Sequence, residues 1–370
     1  MALPRPAARI LAAAGHVGWC TTMQASREAL SSAKAVQQGR VLFVGGFAGV
    51  VVKAQLTKVE SLDLSSGEWR IEPRLSRPRA CHAAAVVGRF VYVCGGLPPT
   101  SRSVLCFRPV SRCWKPLADL VKPRRQPAAV AVNNAIYVVS GIDDANVDDW
   151  RAHDTVERLH PQGASATPTW VIVHGSVAGR CGHAAVALRE DSIFLCGGGA
   201  GGAQLPPGII GVTMLFDKRS AGLRGLGPAR SADCLSLATG ETESLPCMSS
   251  PRMFHSAVVA KGRVIVCGGS DSKGEGLNTV ESYDPKEKAW CDCKPMLRGV
   301  IGHKALVLGG GLYVFGGGPQ AWPGTSAEHL VDRLCLATGI WKEQRPMQSC
   351  RASFCAAVIR TCPRAEQLRR

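Results

Sequence analysis

The chain has 370 residues, 46% of them hydrophobic and 19% charged, with a formal net charge of +16. That apolar content excludes a mainly disordered polymer and suffices for a large core, and 41 glycines point to many tight turns between short apolar runs, an all-β bias rather than a helical one. The basic residues are dispersed apart from modest clusters at Lys122 to Arg125, Lys218-Arg219 and Arg360 to Arg370, which argues against nucleic acid as the partner, and no apolar run is long enough to predict a membrane span.

Residues 1–27 hold Arg5, Arg9 and Arg27 without an acid, a composition shared with transit peptides, and residues 1–25 read as a leader of ill-defined structure. From residue 26 a unit with fixed internal distances recurs six times, over about 26–76, 77–121, 122–176, 177–249, 250–296 and 297–348. In each unit an apolar run ends on a glycine-type pair: Gly45-Gly46, Gly95-Gly96, Ser140-Gly141, Gly197-Gly198, Gly268-Gly269 and Gly316-Gly317. Thirteen residues before four of these pairs stand His82, Pro127, His255 and His303, and fourteen before another stands His183. After each pair, at a variable distance, comes an acid or its substitute: Glu60, Leu105, Glu157, Asp233, Glu281 and Asp332. Nine residues beyond Glu60, Leu105, Glu281 and Asp332 stand Trp69, Trp114, Trp290 and Trp341. Rigid spacing within these segments and variable spacing between pair and acid predict four short strands with one adjustable loop, the pattern of a propeller blade. The repeated residues read as scaffold. The glycines permit a sharp turn, the acid accepts hydrogen bonds, and the tryptophan fills space between blades; removal of Trp290 is expected to cost about 3–5 kcal/mol if its ring is fully buried.

Units three and four depart from the pattern. Ser140 replaces a glycine, and thirteen residues instead of nine separate Glu157 from Trp170. Unit four has no tryptophan near Glu243 and carries a Gly-rich insertion, 199–230, with Lys218, Arg219, Arg224 and Arg230, expected to be a surface loop. Residues 351–359 resemble the first strand of a unit but no glycine pair follows them, while the opening of unit one is poor. They are therefore predicted to complete the blade begun by residues 41–75 and so remove an open sheet edge; residues 363–370 form a basic tail. Cys94, Cys196 and Cys267 share one repeat position, too far apart around a ring to pair, and are expected as small buried thiols of a reducing compartment.

The motifs His-x-Ala-x-Val, Ile-Tyr-Val-x-Gly-Gly and Val-Glu-x-Tyr-Asp-Pro followed by Trp resemble the Kelch repeat. They are cleanest in unit five, with Arg252, His255, Gly268-Gly269, Val280 to Pro285 and Trp290. The resemblance implies an all-β, six-bladed Kelch β-propeller of four-stranded antiparallel blades, the ring closed by a C-terminal strand. It also implies a non-catalytic protein-interaction module, with sugar mutarotase-like enzymes and actin-binding Kelch proteins as the alternative readings.

The chemistry-bearing residues favour binding. The four tyrosines, Tyr92, Tyr137, Tyr283 and Tyr313, all fall at repeat strand positions, leaving none for the copper centre of a Kelch-like radical oxidase. Four of the nine histidines are repeat positions and the rest lack ligand spacing. Cys291-x-Cys293 has no C-x-x-C partner, and the run Gly197 to Gly202 lacks the Lys-Ser/Thr of a phosphate loop. No metal, cofactor or catalytic residue is expected. In a propeller the loops entering each first strand gather at one mouth of the central channel, and here they carry Arg79, Arg124, Arg125, Arg180, Arg252, Arg298 and Arg351, a candidate cationic ring for an acidic peptide. By resemblance, Kelch propellers of ubiquitin-ligase adaptors capture acidic segments at this mouth. The contact arginine of that pattern lies one place before the histidine position, which here is Cys81, Gln126, Gly182, Phe254 and Gly302. The implied partners are a protein or acidic peptide, with a cullin-type ubiquitin ligase or actin as assemblies to consider. The expected location is the cytoplasm or the nucleus.

Overall fold

The structure is a computed structural model that describes residues 39–48, 55–143, 152–161, 168–175, 177–200, 227–319 and 327–360. Short β-rich runs bounded by turns pair into six four-stranded antiparallel sheets. Blade 2 is the plainest, with Ala83–Val87, Phe90–Cys94, Val104–Arg108 and Cys113–Pro116 in sequence order from axis to rim. Blade 3 uses Ala128–Val132, Ala135–Val139, Val156–Leu159 and Val171–His174, and blade 4 uses Ala184–Arg189, Ser192–Cys196, Ala232–Ser236 and Thr242–Leu245. Blade 5 has Ser256–Ala260, Arg263–Cys267, Val280–Asp284 and Ala289–Cys293; blade 6 has Lys304–Leu308, Gly311–Phe315, Val331–Cys335 and Ile340–Glu343.

Blade 1 is assembled from both ends of the described chain. Gly39–Val44, Val59–Asp63 and Trp69–Glu72 supply three strands, and Cys355–Arg360 supplies the innermost, with Val44 opposite Cys355 and Gly39 opposite Arg360. Each inner strand packs against the inner strands of both neighbours, so the circle is complete. The fold is therefore the six-bladed β-propeller expected, with the C-terminal strand in blade 1. The leader at 1–25 and the tail at 363–370 lie outside the described residues, as do Lys218, Arg219 and Arg224 of the 199–230 insertion. The two ends of that insertion meet as a short ladder of Gly199–Ala200 with Gly227–Pro228.

Among the described residues the core is divided between the blades. Six apolar clusters each fill one interface between successive blades, such as Leu42, Val93, Phe107 and Ile359 between blades 1 and 2, or Phe43, Phe315, Met347 and Phe354 between blades 6 and 1. The tryptophans serve these interfaces by reaching backwards. The indole N–H of Trp114 donates to Pro73 O (2.8 Å), that of Trp170 to Ala118 O (3.1 Å), that of Trp290 to Pro246 O (2.7 Å) and that of Trp341 to Lys294 O (3.1 Å), each acceptor lying in the preceding blade. Trp170, displaced in sequence, therefore reaches the same relative place as the others. Trp290 is only half-buried, whereas Trp170 and Trp341 are buried, so the full core-deletion cost expected for Trp290 belongs to those two instead.

The histidine and the glycine pair interlock neighbouring blades. A Cβ placed on Gly197 would lie 2.5 Å from His255 Cε1 of the next blade, and one on Gly198 would lie 2.7 Å from His183 Cβ of its own blade. Both glycines adopt positive φ, +60° and +88°, so neither space nor backbone admits a side chain there. The imidazoles are enclosed as a result. Burial first, and then neighbouring charged groups, holds His82, His183, His255 and His303 below the ordinary imidazole range, to about 3 for His183 and His303.

These rings are neutral in the fold but take up protons near pH 6.5 once unfolded, so the stability they confer is complete above that pH and is lost as the pH falls from 6.5 towards 3. Each such group contributes a slope of up to about 1.4 kcal/mol per pH unit in that window. Urea titrations at pH 7.5 and pH 5 are therefore expected to show a lower midpoint at pH 5, and His183→Phe, the residue type that Phe354 supplies at this position in blade 1, is expected to make the pH dependence shallower.

Candidate functional site

The loops that enter the inner strands meet around one mouth of the channel, and their arginines divide into three groups. Arg79, Arg124, Arg180, Arg252 and Arg351 occupy the place three residues before the histidine position and are 0–3% exposed. Each turns its guanidinium into its own blade. Arg351 donates to Gly45 O (2.6 Å), Lys58 O (3.1 Å) and Glu60 Oε2 (2.8 Å). Arg124 donates to Ser140 O (2.6 Å), Thr155 O (3.1 Å), Thr155 Oγ1 (2.7 Å) and Glu157 Oε1 (2.9 Å). Arg252 repeats this with Gly268 O, Thr279 O and Glu281, and Arg180 with Gly197 O, Ser231 O and Asp233. Burial pushes Glu60 up, but Lys58, Arg351 and Ser349 outweigh it and hold the carboxyl below its usual range.

These five guanidinium groups thus face the blade interior. The ring of free cations expected at the mouth does not form from them, because each guanidinium is buried and held by carbonyls and, in four blades, by the repeat acid. Blade 2 has Leu105 at the acid position, so Arg79 donates only to Gly95 O, Ser103 O and Ser103 Oγ, and burial lowers its pKa to about 10. Blade 6 has Val300 at the arginine position; Arg298, two residues earlier and 29% exposed, reaches Asp332 (3.0 Å) and Glu343 (2.8 Å) from outside. Arg125 differs from both groups. It is buried one residue beyond Arg124, and its charge acts on the thiols of Cys81 and Cys181.

The residues nearest the axis are Cys81, Gln126, Gly182, Phe254, Gly302 and Ser353, one from each blade and each one place before the histidine position. Their peptide groups form a closed circle: the N–H of Gln126 donates to Cys81 O (2.8 Å), Gly182 to Gln126 O (3.2 Å), Phe254 to Gly182 O (2.7 Å), Gly302 to Phe254 O (3.0 Å), Ser353 to Gly302 O (2.7 Å) and Cys81 to Ser353 O (3.0 Å). All six have φ between +51° and +68°. Four of them are not glycine, and at those positions the left-handed conformation costs about 1–2 kcal/mol each, offset by the bonds of the ring. Below the circle lies a cavity of ≈ 60 Å³ lined by these residues with His82, His183, His255 and Lys304 among others. The Phe254 ring covers Gly182 of the neighbouring blade, since a Cβ there would meet its Cε1 at 2.7 Å.

Lys304, which sequence reasoning missed, opens the inner strand of blade 6. The corresponding residues elsewhere are Ala83, Ala128, Ala184, Ser256 and Cys355, and that break in a run of small side chains was the available signal. On the opposite face a groove of ≈ 380 Å³ between blades 4 and 5 is bridged by the Lys288–Glu243 ion pair. The cysteines at the shared repeat position, Cys94, Cys196 and Cys267, are buried and unpaired with one another, with burial raising the thiols of Cys196 and Cys267 to about 12. Among the described residues no group of three or more His, Cys, Asp or Glu is placed to hold a metal ion.

Comparison with known proteins agrees with this architecture. Models of the Kelch motif match residues 78–121, 123–173 and 251–297. The chain is 25% identical over 357 residues to Kelch-like protein 36 of Bos taurus, covering 93% of this chain and 52% of that protein. It is 22% identical over 298 residues to Kelch-like protein terF of Aspergillus terreus, covering 76% and 60%, and 24% identical over 242 residues to human Kelch-like protein 23, covering 63% and 37%. The chain spans about half the length of Kelch-like relatives that it matches, 52%, 50% and 50% for the bovine, rat and mouse Kelch-like protein 36.

The geometry separates scaffold arginines from mouth residues in a measurable way. Arg124→Met leaves Glu157, which is fully buried, without its counter-charge and is expected to lower unfolding stability by about 3–5 kcal/mol. Arg298→Met, whose guanidinium is partly exposed although its partner Asp332 is buried, is expected to cost less, about 1–2 kcal/mol, because water reaches the pair. Paired urea denaturation curves of the two variants check the contrast.

Proposed function

We propose that this chain, a Kelch-repeat β-propeller, is a protein-interaction module that receives a segment of a partner protein over its channel mouth, as the substrate-recognition part of a ubiquitin ligase. The observation that carries the reading is the contrast between two sets of equivalent positions. Histidine, arginine, glycine pair and acid recur from blade to blade because they hold the ring. The six residues at the mouth share one backbone conformation and one hydrogen-bond pattern, yet their side chains are a thiol, an amide, two hydrogens, an aromatic ring and a hydroxyl. A uniform platform with a varied set of groups is suited to recognising one irregular surface, and Phe254 supplies the aromatic anchor that interfaces favour.

Protein binding accords with the Kelch motifs and with the Kelch-like relatives. An acidic partner segment accords with the net charge of +16 and with Lys304 and Arg125 beside the mouth; the five enclosed arginines contribute to its shape, not to its charge contacts. The role is non-catalytic: the propeller binds and positions, and a ligase joined to it or to a longer form of the chain supplies the chemistry.

Affinity capture of the full chain from cells, with mass spectrometry, tests the reading. Cullin-type ligase components are expected with both the native protein and Phe254→Ala, while the mouth-bound partner falls by about tenfold or more in the variant. Recovery of actin without ligase components, or a partner profile unchanged by Phe254→Ala, overturns it.

A further inference from the structure

We infer that the neck of the channel is a binding site for a small monovalent anion, held on the axis by Lys304. The inference goes beyond the proposed ligase role and does not depend on it. Lys304 lines the ≈ 60 Å³ cavity under the backbone circle, and none of the residues lining that cavity is acidic. Among the described residues no carboxylate lies within ion-pair distance of its ammonium group, in contrast to Lys58, Arg124, Arg252 and Arg351. Its charge acts on Cys81, His82, His255 and Cys355, which belong to blades 1, 2 and 5, so the ammonium sits where several blades converge.

The cavity is built for a polar occupant. His183 is 7% exposed, and neither of its ring nitrogens has a hydrogen-bond partner among the described residues. His255 and His303 face Cys196 and Cys267 of the preceding blades, at 3.5 and 3.6 Å, whereas the residue before the glycine-type pair of blade 3 is Val139, which offers His183 nothing. A half-enclosed cation without a counter-charge, beside polar atoms without partners, is an unfavourable arrangement in isolation. An anion on the axis satisfies the lysine and accepts from the imidazole N–H of His183, while the backbone amides of the circle remain engaged with one another. The cavity's size admits a halide or a short carboxylate, not a sugar phosphate or nucleotide.

The test uses the full chain in gluconate buffer at constant ionic strength, with bromide or acetate replacing gluconate stepwise. The melting midpoint of the native protein is expected to rise by on the order of 2 °C at tenfold saturation, Lys304→Arg to retain the rise, and Lys304→Met to lose it. An equal rise in Lys304→Met overturns the inference. Anomalous diffraction from a bromide-soaked crystal of the native protein decides the matter even if the methionine variant does not fold: a peak beside the Lys304 ammonium supports the site, and peaks elsewhere only overturn it.

Discussion

The ring depends on one hydrogen bond made six times. The N–H of the second residue of each glycine-type pair donates to a carbonyl of the next blade: Gly46 to Arg79, Gly96 to Arg124, Gly141 to Arg180, Gly198 to Arg252, Gly269 to Val300 and Gly317 to Arg351, at 2.8 to 2.9 Å. The last of these crosses from blade 6 to the strand that completes blade 1, and so shuts the circle. In five blades the acceptor is the carbonyl of an arginine whose own side chain is anchored in the blade it enters. The residue therefore works through its main chain towards the preceding blade and through its guanidinium towards its own, fixing the position of the carbonyl that the preceding blade requires. That explains why a long charged side chain is tolerated in burial: in four blades its fork meets two carbonyls and a carboxylate, and in blade 2 two carbonyls and the Ser103 hydroxyl, so that the buried charge is never left without partners.

Variation among the blades shows which parts of this arrangement are indispensable. Blade 6 keeps the carbonyl at Val300 and dispenses with the arginine, so that the acid Asp332 is neutralised by Arg298 from outside. Blade 2 keeps the arginine and dispenses with the acid. Blade 3 keeps a positive φ of 52° at Ser140 where its counterparts have glycine. In all three the inter-blade hydrogen bond survives.

Much of this was legible in the sequence, and the exceptions have a common cause. Blade number, four strands to a blade and the place of the last strand in blade 1 follow from side-chain spacing, because spacing is what a period of alternating strands imposes. The role of the arginines was misjudged because position at a mouth was taken as exposure at a mouth. The corrective signal lay in the sequence: the blade with no arginine at that place has another two residues away, within reach of its acid, which is the behaviour of a neutralising partner and not of a contact surface. The backbone circle was hidden more deeply. Left-handed φ declares itself where the residue is glycine, as at Gly182 and Gly302, but at Cys81, Gln126, Phe254 and Ser353 only the ring of hydrogen bonds compels it. Lys304 was overlooked because small residues at the other five equivalent positions invite no attention until their common place near the axis is known.

The pairing of Gly39–Val44 with Cys355–Arg360 has a consequence for how the molecule comes into being. On a ribosome the outer three strands of blade 1 emerge early but have no inner neighbour until more than 280 further residues, counted from Glu72 to Cys355, have been made. Throughout that interval the inner edge of Gly39–Val44 is open, an invitation to pairing with another nascent chain. Blade 2 meanwhile has a complete sheet of its own soon after synthesis. The earliest blade in the chain is thus the last to be finished, and the ring as a whole is an assembly whose commitment step waits for its final strand.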